Sequence, residues 1–142
     1  MEPNRSGWVD AATTIGRLIF AGVFLMALTF KVLMPGMTAS EISNAGFPMA
    51  HLLVWLAALF ELALVLCFLT GAFFTEACIA AIVYVLFLAF SFHGPSHWAK
   101  NQDEFGFFVD HFTFTAGLLF AAANGPGRWA VRKGILGQSR AL

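Results

Sequence analysis

The chain has 142 residues, of which 59% are hydrophobic and 11% charged, with eight Lys and Arg balanced by eight Asp and Glu. That charged share is about half of what an ordinary soluble domain carries, and zero formal net charge offers no attraction for nucleic acid or an acidic partner. A bilayer is the solvent that fits, and so do 17 Phe and 4 Trp; Trp8, Trp98 and Trp129 flank apolar runs, where amphipathic rings settle at headgroup level.

Four apolar stretches predict membrane-spanning helices at Thr13–Val32, Ala50–Thr70, Thr75–His93 and Gly106–Asn124, each near the ~20 residues that cross a ~30 Å hydrocarbon core. Helix is the required conformation, because a lone strand in lipid leaves its backbone groups unpaired. After the first helix, Pro35, Gly36, Asn44, Gly46 and Pro48 predict a polar loop over 33–49. Residues 70–75 are so few that the second and third helices must form an antiparallel hairpin. A second polar loop is expected at 94–105 and a basic cytoplasmic tail at 125–142. The expected fold is therefore all-α: one domain over 1–142, an antiparallel four-helix integral membrane bundle.

Four crossings put both ends of the bundle's path on one face. That face carries Arg5, Arg17, Arg128, Arg132, Lys133 and Arg140 against Lys31 and Lys100 on the other, so both ends are expected in the cytoplasm. The stretch Leu18–Phe30 between Arg17 and Lys31 also suits the core of a cleavable signal peptide. Acidic Glu2 and Asp10 upstream, and the lack of a small-x-small cleavage site, argue against that reading.

Ionisable groups inside the spans are the candidates for function, since each costs at least ~2.5–3.5 kcal/mol to insert. Arg17 and Lys31 lie close to four turns apart and share one face of the first helix, about 21 Å from each other. Glu61 sits at mid-depth in the second, with Ala57 and Ala58 one turn earlier leaving room for a neighbour. Three roles are open to it: an ion pair with Arg17 or Lys31, a protonated carboxyl in an apolar site, or a proton relay.

All four histidines gather at the outer helix ends: His51, His93, His97 and His111, together with Lys31 and Asp110. They read either as interfacial groups bonded locally or as a quinone headgroup site. In the second reading Lys31, His93, Asp110 and His111 supply donors and a proton path beside Phe-rich walls. No metal centre is expected among these residues. Cys67 and Cys78 flank the short turn without a CxxC motif and read as small buried apolar residues or as a redox-active pair. The sequence holds no haem, flavin or iron–sulfur motif, so electrons would come from a partner's cofactor.

Five pieces occur in order between Ile15 and Val131: GRLIF with FKVLMP, NAGFP, ELALVLCFLTG, SFHGPSHW and AGLLFAAANGPGRWAV. On these the chain resembles the DoxX family of small membrane proteins. The resemblance implies a multi-pass bundle in the bacterial or archaeal cytoplasmic (plasma) membrane, with Arg17, Lys31, Glu61, Gly71, His93 and Gly117 at recurrent motif positions. It implies no covalently bound cofactor, quinone as the candidate ligand, and a protein partner. The expected role is a membrane subunit of a quinone-linked redox or thiol-stress system, at most one subunit of a quinone-dependent oxidoreductase. The alternative is a non-catalytic membrane scaffold or assembly factor. Where the family is expected to carry an uncharged amide near the start of the fourth helix, this chain has Asp110-His111.

Overall fold

The computed structural model describes residues 7–131 and 133–136; Arg5, Arg132 and Arg140 lie outside the described residues. The helices in order are α1 (Gly7–Leu33), α2 (Pro35–Asn44), α3 (Ala50–Thr70), α4 (Phe74–His93), α5 (Pro95–Trp98) and α6 (Asp103–Asn124), with no strand among the described residues. Four of these, α1, α3, α4 with its α5 extension, and α6, are long and apolar enough to cross a membrane. The chain is an all-α, four-helix membrane bundle, and a multi-pass membrane protein.

Several boundaries differ from the expected ones, each for a local reason. The first helix starts at Gly7 instead of Thr13, because Asp10 and Thr13 continue its packed face onto residues that follow α6. The expected polar loop at 33–49 contains α2. Pro35 and Gly36 do end α1, but a proline is equally suited to the first turn of a new helix, and α2 buries Ala39 and Ile42 against Val54 of α3. The fourth span starts at Asp103 instead of Gly106, with acidic Asp103 and Glu104 in its first turn, where the helix dipole favours them.

The α3–α4 hairpin turns on Gly71, whose φ of 80° closes α3 in a left-handed cap, its N–H reaching the Cys67 carbonyl at 2.7 Å. Packing is closest between α1 and α3 and between α4 and α6, and the two halves meet across a shared core. Small residues recur every fourth position on the buried side of α4 (Ala77, Ala81, Ala89, with Val85), so a neighbouring backbone can approach. Phe24 stacks on Phe68, and Phe20 and Phe24 meet Phe114 edge-on, which joins α1, α3 and α6. The outward surface is Leu, Ile, Val, Phe and Met, as at Leu25, Leu59, Val83 and Phe120, and acyl chains are its natural cover.

The expected basic tail is in part a structured strap. After α6 the chain folds back across the end of the bundle that holds the α3–α4 turn. Its Val131 N–H donates to the Thr70 carbonyl at 2.8 Å, and the Phe73 N–H donates to the Lys133 carbonyl. Glu76 accepts from the N–H groups of Ile135 and Leu136, the latter at 2.9 Å. These bonds satisfy helix-end groups that would otherwise be orphaned.

Candidate functional site

Glu61 lies eleven residues into the 21-residue α3, about 16 Å along it and so near mid-membrane. Its Oε1 accepts from Lys31 Nζ at 2.8 Å and from the Tyr84 hydroxyl at 2.8 Å. Lys31 is in the last turn of α1, and its long stem lets the ammonium reach the level of the carboxylate. Glu61 is 1% exposed and Lys31 15%. Three spans are thus tied at one polar node, α1 through Lys31, α3 through Glu61 and α4 through Tyr84. Glu61 Oε2 is buried with no partner among the described residues, so the node keeps one acceptor open.

Tyr84 is the residue that sequence reasoning missed here. The signal was available, since it is the single tyrosine of the chain and lies in an otherwise apolar span, where a buried phenol seeks a partner. Its ring meets Phe60 edge-on at 5.0 Å, and both rings line a shallow apolar groove between α3 and α4 with Ala80, Val83 and Phe87.

Arg17, one of the two cations considered for Glu61, is placed elsewhere. It is 4% exposed at the strap end of the bundle, donating to the carbonyls of Pro126 at 3.3 Å and Trp129 at 2.8 Å. Its role is to hold the strap. Asp10 on the same helix is also buried, with Arg128 at 3.7 Å. Gly71 leaves no space for a side chain, because a Cβ there would collide with Ala130 and lie 2.5 Å from Arg17 Nη1.

The outer polar residues divide into groups. His93 Nδ1 is 2.5 Å from Glu104 Oε2, tying the end of α4 to the start of α6. The His93 ring lies 5.1 Å from that of His111 and 5.4 Å from Phe107. His111 Nδ1 is 2.7 Å from the Phe107 carbonyl, which needs a proton on that nitrogen. The Trp98 indole donates to the His93 carbonyl at 2.8 Å and closes α5 over this end. His93, His111 and Glu104 therefore come together, Glu104 having been assigned to a loop by the sequence reading. Lys31 is engaged at Glu61, and Asp110 lies on the exposed side of α6 with no partner among the described residues. His97 bonds locally around Gly94, and His51 is exposed. Cys78 is fully buried and Cys67 partly so, both as free thiols in the core. Among the described residues no three His, Cys, Asp or Glu are placed to hold a metal ion.

No curated protein and no solved structure matches the chain. A family model does, and it is described as methylamine utilisation protein MauE, over residues 9–104. The match supports a related family of small membrane proteins and not specifically the DoxX family, which five short apolar pieces suggested and whose composition many small membrane proteins share. The matched stretch takes in α1 to α5 with Arg17, Lys31, Glu61, Tyr84, His93 and Glu104, while nearly all of α6 and the strap lie beyond it. Spanning more than half of the chain and every residue of the mid-membrane node, the match shows that this protein belongs to the MauE family.

Proposed function

We propose that the chain is an accessory subunit of a redox or electron-transfer system in the bacterial cytoplasmic membrane, anchoring a partner that carries the redox cofactor. The buried Lys31–Glu61–Tyr84 node is the observation that carries this reading. A charge pair and a phenol at mid-depth are costly to insert, and the Phe, Leu and Ala core already packs the bundle without them. The family's description supports the same setting, since breakdown of an amine is an oxidation. The finer part of the reading is a quinone headgroup at the outer end, held by His93 and His111 with Glu104 as the acid beside them and Phe107 as an apolar wall.

The test is purification from bacterial membranes in mild detergent, with mass spectrometry of the bound proteins and lipids. One stoichiometric redox partner and a copurifying quinone are expected. His93→Ala should lose the quinone and keep the partner, and Glu61→Gln should lower quinone-linked activity of the complex. Recovery of no redox protein, with unchanged activity in both variants, sinks the proposal.

A further inference from the structure

Asp110 is a carboxyl on a spanning helix that has been left facing outward. It lies seven residues into α6, about 10 Å from its start, it is exposed, and its carboxyl makes no hydrogen bond or ion pair among the described residues. Its neighbour His111 turns the other way, toward His93. Ionisable residues inside spans face the interior or a partner almost without exception, and aspartate is too short to reach the headgroups from that depth as lysine does. On the same side of α6, one turn before and one turn after, stand Gly106 and Thr113, both exposed. A Cβ added at Gly106 would meet nothing within 4 Å. Glycine and threonine are the residues that let a second helix come close and hydrogen-bond in lipid. α6 is also sparsely covered by its own bundle, burying only Thr115 and Leu118.

We infer that this face of α6 docks a transmembrane helix of another protein, one that carries a lysine or arginine in the outer third of the bilayer opposite Asp110. Charge complementarity selects the occupant. A lipid acyl chain has nothing to offer the carboxylate, and a symmetric second copy brings acid against acid. The inference rests on the accessory-subunit reading and names the surface by which the partner is held. It uses residues beyond the stretch that the family model matches.

The test uses the full chain in liposomes, labelled in the outer loop at Lys100→Cys, and three acceptor-labelled probes. These are a polyleucine transmembrane peptide with one lysine in its outer third, the same peptide with leucine instead, and a second copy of the chain. Energy transfer should show the lysine peptide binding at least tenfold more tightly than the leucine peptide. Asp110→Ala should abolish that difference, and Gly106→Leu should weaken both peptides. Because the Asp110 carboxyl makes no hydrogen bond or ion pair among the described residues, Asp110→Ala should also leave the unfolding temperature unchanged. Equal binding of the two peptides, or a preference for lysine that survives Asp110→Ala, overturns the inference. So does self-association that needs Asp110, which would assign the face to a second copy. Copurification of a redox partner tests the accessory role separately, so the two can fail independently.

Discussion

Lys31, Glu61 and Tyr84 form a unit whose members differ in what their removal leaves behind. Lys31→Met strands a carboxylate at mid-membrane with a single phenol for company, and breaking a buried pair in this way costs about 3–5 kcal/mol. Tyr84→Phe removes one hydrogen bond to a charged group, about 1.5–3 kcal/mol. The double variant Lys31→Met with Glu61→Leu removes both charges and should recover most of the first loss. Reversible unfolding in micelles or bicelles measures all three, and a double variant as unstable as Lys31→Met would show that the pair is not the source of the cost. Gly71 makes a second residue-scale prediction. Its φ of 80° and the closeness of Ala130 and Arg17 leave no room for a methyl, so Gly71→Ala should cost about 2–4 kcal/mol, combining left-handed strain with overpacking. Gly22→Ala, with open space around it, should be close to neutral in the same assay.

At the scale of elements, the strap explains why a buried arginine is tolerated at the inner end. Arg17 gives hydrogen bonds to two strap carbonyls, and the strap in turn caps the α3–α4 hairpin. Ending the chain after Asn124 should therefore destabilise it, since it removes both Arg17 acceptors and the cap on the hairpin turn. Hydrogen exchange at the Phe73 amide should rise with it; a truncated chain with unchanged exchange there would mean that the strap does not hold the turn. This contact was not legible in the sequence, because the groups that bind the strap are mostly backbone carbonyls and amides, which leave no side-chain pattern. The four spans and Glu61 were legible, since length and apolarity against a fixed hydrocarbon thickness leave few alternatives. α2 was read as loop because a proline that ends one helix looks the same as a proline that begins the next. The partner of Glu61 was left open between two cations on one face of α1. Only the depth reached by the Lys31 stem, and the use of Arg17 elsewhere, separates them.

For the whole molecule, orientation in the bilayer follows from which cations are free to count. Lys31 is neutralised by Glu61 and Arg17 is buried under the strap, so neither interacts with the surrounding leaflet as a bare charge. What remains unpaired among the described residues is Lys133, exposed at the strap end where Arg128 stands beside Asp10, against Lys100, exposed at the other; Arg5, Arg132 and Arg140 add to the strap side in sequence. On that excess we propose that the start of α1, the hairpin turn and the strap face the cytoplasm, and the α4–α6 loop the outside. Alkaline phosphatase inserted in the 94–105 loop should be active and a fluorescent protein fused after residue 136 should fluoresce, whereas the opposite result would invert the bundle. Inversion would leave every contact of the Glu61 node intact but move His93, Glu104 and His111 to the cytoplasmic leaflet. A quinone at that end would then exchange its protons with the cytoplasm, and a partner's basic residue opposite Asp110 would sit in the inner third of the membrane.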